Sequence, residues 1–212
     1  MGTDLTAGGV NLEFALINVS LFWLLTTPHE FAHAWAATRL GDDTPQREGR
    51  LTLNPLAHVD WLGTVILPAL TSLFGAGFLG WGKPVGTNPG KLRGGLNGLA
   101  AVALAGPASN VVFAIVLAVV ARLTAAPMPG VAEYAARGVY LSLYLALFNL
   151  LPVPPLDGSK LLLAARVPVV VYQELARFGF VLLIVAISAW DLGLWLSRWS
   201  WSGAQLLFGL LG

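Results

Sequence analysis

The sequence predicts an all-α polytopic membrane protein: about four to six transmembrane helices, a re-entrant segment and short β-capable loop pieces. Three observations carry that expectation. First, the 212 residues are 56% hydrophobic and 11% charged, whereas a soluble domain averages about 45–50% apolar and about 25% charged. The 12 basic and 11 acidic residues fall well short of the roughly 53 charges usual for this length, too few to cover a globule. Second, eight tryptophans suit the membrane–water boundary, where indoles gather. Third, long apolar stretches recur along the chain. The length suits a single integral-membrane domain over residues 1–212, with a core at about 10–190 and a Trp-rich tail at 192–212. No signal peptide is expected, because the first ten residues carry Asp4 and no basic residue. With no cysteine, disulfides and thiolate metal sites are excluded, so a metal would need His, Asp or Glu. A net charge of +1 gives no reason to expect nucleic acid as a partner.

Residues 12–27 are apolar, and the pattern continues through a polar island, His29, Glu30 and His33, to Leu40. One long helix over 11–40 follows, stopped by Gly41-Asp42-Asp43. Residues 62–79 are apolar but punctuated by Pro68, Gly75 and Gly77 and closed by Gly80. Residues 96–123, rich in Ala and Val, form the next clear span. The third, 139–151, is short against the roughly 20 residues a bilayer core requires. It crosses only if its helix takes in Arg137 or the Asp157 region, which points to a polar cavity there. The fourth, 178–196, is entered through Gln173, Glu174 and Arg177. Four tryptophans between Trp190 and Trp201 make the tail an interfacial helix more than a full crossing.

Charge placement bears on residues 62–79. If that stretch dips in and returns, Arg39, Arg47, Arg50, Lys83, Lys91 and Arg93 share one side with Lys160 and Arg166. The opposite side then keeps only Arg122 and Arg137, which agrees with the positive-inside rule. A full crossing would move Lys83, Lys91 and Arg93 outside, so the re-entrant reading is favoured.

Within the first helix stands His29-Glu30-Phe31-Ala32-His33. Residues four apart share a helix face, so both imidazoles reach one ion, with Glu30 beside them to handle a polarised water. Two structural histidines with a paired Glu would be costly inside an apolar span, where ionisable groups are rare and usually functional. Pro28 frees the carbonyl of Leu24, either kinking the helix to admit water or being tolerated as a membrane proline. A hydrolytic zinc takes three protein ligands and keeps a fourth position open. The third ligand is an Asp, a Glu or the remaining histidine, His58. Asp157 is the best candidate, because it follows the proline-broken stretch Pro152-Val153-Pro154-Pro155 and precedes Gly158, irregular backbone that belongs beside a cavity. Its plainer alternative is to cap the following helix.

Together, His29 to His33, Gly106-Pro107-Ala108-Ser109-Asn110 and Asn149 to Gly158 resemble the site-2 protease family of intramembrane zinc metalloproteases. Asn54-Pro55-Leu56-Ala57-His58-Val59-Asp60 and Gly80-Trp81-Gly82-Lys83-Pro84-Val85 resemble its compact prokaryotic branch, which lacks a PDZ domain. The resemblance implies one zinc per chain, held by His29, His33 and Asp157, with Glu30 as general base. It also implies that Asn149 contacts the scissile segment or its oxyanion and that Asn110 supports the core helices. The chain departs from the family pattern at Pro28, where an aliphatic residue is usual, and at Trp61 and Gly86, where proline is common.

The implied activity is hydrolysis of peptide bonds within or next to transmembrane segments of other membrane proteins. His29 lies 18 residues beyond Asn11, about 27 Å along a helix, which places the site near the inner face, opening to the cytosol of a prokaryotic cell membrane. Substrate helices must unwind, and Arg50-Leu51-Thr52-Leu53 or Pro84-Val85-Gly86-Thr87 could present a strand edge to the extended chain. His58 and Asp60 are expected to build a hydrogen-bonded turn anchoring the re-entrant piece. The rivals are a transporter, which shares broken helices and buried carboxylates but would show an inverted repeat absent here, and a non-catalytic scaffold, which has no need of Glu30.

Overall fold

The computed structural model describes residues 12–73 and 80–211. The first ten residues, Asn11 and residues 74–79 of the expected re-entrant stretch lie outside the described residues. Among those described, the regular structure is helical throughout.

Helix α1, Leu12–Arg39, carries Glu13 in its first turn and Arg39 in its last, charges that complement the helix dipole. It runs unbroken through Pro28. It ends at Gly41, whose φ of 103° only glycine adopts freely. The amide of Asp42 then bonds to Ala37 at 3.0 Å and that of Gly41 to Thr38 at 3.1 Å, the paired bonds of a Schellman stop. A single turn, α2 (Thr44–Arg47), follows, then a 3-10 turn at Pro55–His58, a π-helical turn at Trp61–Ile66, and α3, Leu67–Leu73.

Helix α4 (Leu96–Thr124) and helix α5 (Pro129–Asn149) are the centre of the fold. Proline opens α5, where its missing N–H costs nothing. The helix therefore reaches back through Arg137 and is 21 residues long. After the short α6 (Ser159–Ala164), α7 covers Val169–Ala189 and α8 Leu192–Leu210. The expected fourth span to 196 is thus corrected. Its helix stops at Ala189, and the chain turns at Asp191 in a left-handed conformation, φ 52°. Residues 192–196 belong to the next helix.

The core joins Leu21, Phe22 and Leu25 of α1 to Ala114, Leu117, Ala118 and Ala121 of α4 and to Ala135, Val139 and Leu145 of α5, with Ala204 of α8. The alanine face of α4 allows close approach, the usual means of packing helices without large apolar side chains. Buried and half-buried hydroxyls fix the register. Ser142 donates to the Asn110 carbonyl at 2.7 Å, joining α5 to α4, and Tyr140 pairs with Ser197 at 2.9 Å, joining α5 to α8. Helix α8 buries Leu196, Ser200 and Ala204 and leaves Trp195, Trp199 and Trp201 exposed. Helix α7 leaves most of its large apolar side chains exposed. Helix α4 and residues Val169–Ile187 are long and apolar enough to cross a membrane.

The segment between α1 and α4 is held by polar contacts. Asp42, fully buried, accepts the amides of Thr44 at 3.1 Å and Asn88 at 2.6 Å. Burial of this carboxyl opposes its ionisation, but the hydrogen bonds from Thr44 and Asn88 outweigh it and hold the carboxyl below its usual range. Arg50 is buried and donates to the carbonyls of Ala57 and Lys83. His58 Nε2 donates to the Thr52 carbonyl at 2.8 Å, and Asp60 accepts the Gly63 amide at 2.9 Å, so each is hydrogen-bonded within this segment. The Trp81 amide returns to the Gly63 carbonyl at 3.0 Å, and Thr64 donates to the Trp81 carbonyl at 3.0 Å. Residues 50–53 and 84–87 pair in no strand, contrary to their β-capable sequence. Side chains take carbonyls that a ladder would use: His58 occupies Thr52, and Arg50 occupies Lys83.

Candidate metal centre

His29 and His33 lie one turn apart on α1, with perpendicular rings whose centroids are 4.7 Å apart. Asp157 arrives from the far end of α5. Beyond Asn149 the chain folds back, and the Gly158 amide donates to the Asn149 carbonyl at 2.7 Å, which sets Asp157 against α1. Its Oδ2 stands 3.1 Å from His29 Nε2 and 3.0 Å from His33 Nε2, and the two nitrogens are 3.1 Å apart. All three residues are buried, 6–7% exposed.

The tautomers decide what this cluster can hold. His33 Nδ1 lies 2.7 Å from the Val102 carbonyl. A carbonyl only accepts, so Nδ1 carries a proton and, in the neutral ring, Nε2 presents a lone pair. With His29 Nε2 deprotonated as well, two imidazole lone pairs and a carboxylate oxygen would converge on one point, an arrangement that repels itself unless a cation sits there. At ligand distances of about 2.0–2.1 Å, a tetrahedral ion would hold its ligand atoms about 3.3 Å apart, close to the observed separations. The donor set therefore fits a divalent metal, and His29, His33 and Asp157 are close enough to hold one.

These residues open onto a cavity of about 540 Å³ that Glu30, Asn110, Asn149 and Lys160 also line. Glu30 is buried, and its Oε2 has no hydrogen-bond partner among the described residues. Opposite it runs the backbone of Gly82, where a Cβ would lie 3.2 Å from Glu30 Oε1. Asn149 donates one amide hydrogen to its own helix, to Leu145 at 2.9 Å, which leaves the second for a ligand. Asn110 is almost fully buried with Oδ1 unpartnered among the described residues, while its carbonyl receives Ser142. His58 stands apart from the cluster, engaged with Thr52. The carboxylate of Asp157 faces the histidines and accepts from Lys160, and no side-chain cap closes the start of α6. The larger hollow of about 950 Å³, between α1, α3, α5 and α8, holds no such cluster among the described residues.

A search of curated proteins finds a Bacillus subtilis (strain 168) protein named "Putative zinc metalloprotease YwhC". It is 36% identical over 170 residues, 75% of this chain and 74% of that protein. This chain belongs to the site-2 protease family of zinc metalloproteases. A Mycolicibacterium smegmatis (strain ATCC 700084 / mc(2)155) protein named "Putative zinc metalloprotease Rip2" is 37% identical over 140 residues, 64% of this chain. A Mycobacterium tuberculosis (strain ATCC 25618 / H37Rv) protein of the same name is 35% identical over 143 residues. The matches span about half the length of each Rip2 protein, 52%. No protein-family model and no solved structure matches the chain.

Three contributors to the site escaped the sequence reading. Gly106 of α4 lies directly under the two rings, where a Cβ would come within 2.4 Å of His33 Nε2 and 2.7 Å of His29 Cε1. It stood in the family motif with no role attached. The Val102 carbonyl, which sets the His33 tautomer, left no signal because any residue supplies a carbonyl. Lys160, whose ammonium meets Asp157 Oδ1 at 2.8 Å, was visible as a cation three residues from the carboxylate.

Proposed function

We propose that this chain is an intramembrane zinc endopeptidase, cutting peptide bonds within or next to transmembrane segments of other membrane proteins. One observation carries the reading: two imidazole nitrogens and a carboxylate oxygen lie within 3.1 Å of one another, beside a buried glutamate oxygen that has no partner among the described residues. Membership of a zinc metalloprotease family supports the choice of metal.

His29, His33 and Asp157 would hold one zinc per chain, which supplies Lewis acidity to water and to the scissile carbonyl. Glu30 Oε2, which has no hydrogen-bond partner among the described residues, accepts the proton of the attacking water and returns it to the leaving nitrogen. The second amide hydrogen of Asn149 points its donor capacity at the developing oxyanion. Asn110 supports the α4–α5 contact through its carbonyl. The surrounding cavity admits water while the apolar helices exclude bulk solvent, so the electrostatic contacts act at low dielectric.

The membrane arrangement follows from the same elements. Helices α1, α4, α5, α7 and α8 would make up four to six crossings with the piece at 61–80. The bonds between Gly63 and Trp81 support a re-entrant path, because residues 18 positions apart leave and return side by side. The basic residues between α1 and α4 support placement of the site on the cytosolic side of a prokaryotic cell membrane. A cysteine placed at Lys91 is expected to react only with reagent added from the cytosolic side; labelling from outside would overturn the topology.

The test of the activity begins with the metal. Purified in detergent, the wild-type chain is expected to hold near one zinc, and Asp157→Ala to lose it. Absence of zinc from the wild type after reconstitution would end the protease reading. Cleavage of transmembrane substrates is then assayed with Glu30→Gln as the inactive control.

A further inference from the structure

The two oxygens of Asp157 do different work. Oδ2 faces the histidine nitrogens, at 3.1 and 3.0 Å, while Oδ1 receives the Lys160 ammonium at 2.8 Å. Lys160 is set up for this locally. It lies three residues beyond Asp157 in the turn that opens α6, and its amide bonds to the Asp157 carbonyl at 3.0 Å. Both ends of the ion pair therefore stand on one short, closed stretch of backbone. The Lys160 side chain lines the same cavity as Glu30 and is partly exposed, whereas that of Asp157 is buried.

We propose that Lys160 is a positioning residue that assigns one oxygen of Asp157 to the metal and withholds the other. The proposal rests on the zinc metalloprotease reading above and deepens it. A carboxylate beside a divalent cation can bind through one oxygen or through both. Binding through both would add a ligand where a hydrolytic zinc needs an open position for water. An ammonium at 2.8 Å from Oδ1 makes that second attachment costly, because the carboxylate would have to abandon a charge-assisted hydrogen bond. The same contact fixes the rotation of the carboxylate, so Oδ2 is held on the histidine side before a metal arrives. Partners of this kind commonly carry 10–100-fold in metal affinity.

The test uses the full-length chain in detergent, stripped of metal and titrated with zinc against a chelator of known affinity. Lys160→Met is expected to weaken zinc binding about 10–100-fold, and Lys160→Arg, which keeps a cationic donor, to restore most of it. In an Asp157→Ala background, Lys160→Met is expected to change nothing further, because its partner is gone. Cobalt in place of zinc reads coordination directly: in Lys160→Met the visible band should weaken as the carboxylate attaches through both oxygens. Thermal unfolding of the metal-free variants checks that the fold is intact. Undiminished zinc affinity in Lys160→Met, or an equal loss with and without Asp157, overturns the assignment of Lys160 alone. A wild-type chain that binds no zinc overturns the protease reading together with it.

Discussion

Substituting Gly106 by alanine should remove the metal and leave the fold. The added Cβ would stand 2.4 Å from Nε2 and 2.5 Å from Cε1 of His33, and 2.7 Å from Cε1 of His29. Ordinary contact begins near 3.5 Å, so the rings and α4 must separate by about 1 Å. His33 cannot rotate away cheaply, because its Nδ1 is bonded at 2.7 Å to the carbonyl of Val102, one turn before Gly106 on α4. A metal site tolerates about 0.2 Å in its ligand distances, so a displacement several times larger breaks the set. The fold itself changes less: the gain in helix propensity, about 1 kcal/mol, offsets part of an overpacking cost of about 1–3 kcal/mol. Zinc per chain, measured after equilibration at micromolar free zinc, should fall below a tenth of the wild-type value. The melting temperature of the metal-free protein should move by only a few degrees. Full zinc occupancy in Gly106→Ala would refute the claim that this close approach shapes the site.

Glu30→Gln should retain zinc and lose cleavage by several orders of magnitude, since a neutral amide cannot take the proton; a variant that still cuts would remove Glu30 from the mechanism. Ser142→Ala should cost about 0.6–1 kcal/mol in a denaturation experiment, because its hydroxyl bonds the buried Asn110 carbonyl; no change would mean that the helices re-pair without it. Burial pushes the His58 imidazole below its usual range and outweighs the Thr52 hydrogen bond, which raises it; the lesser effects of Arg50 and Glu30 oppose each other. Its contribution to stability is therefore complete above about pH 6.5, the unfolded value, and declines as the pH falls below that. Melting curves of the wild type and His58→Gln should accordingly converge on acidification, and parallel curves would show that His58 does not titrate on unfolding.

Local rules made much of this molecule readable in advance. The end of α1 at Gly41 follows from glycine's tolerance of positive φ, and the shared face of His29 and His33 follows from helix periodicity. Elsewhere the same rules were overridden. The apolar run at 178–196 holds one charged residue, Asp191, and there the chain takes a left-handed turn just after the helix ends at Ala189, which lets α8 pack on α5. Residues 50–53 have strand-like composition, yet Arg50 and His58 spend their hydrogen bonds on the backbone of the loop.

By itself the sequence determined the helical class, the paired histidines and their glutamate, since composition and spacing act over a few residues. Only the tertiary structure decided which oxygen of Asp157 meets the histidines, that Val102 sets the His33 tautomer, and that Gly106 makes room for both rings. Those choices join residues as far as 128 positions apart. They depend on how closely the small-residue face of α4 lets α1 and α5 approach, a distance that local periodicity does not encode.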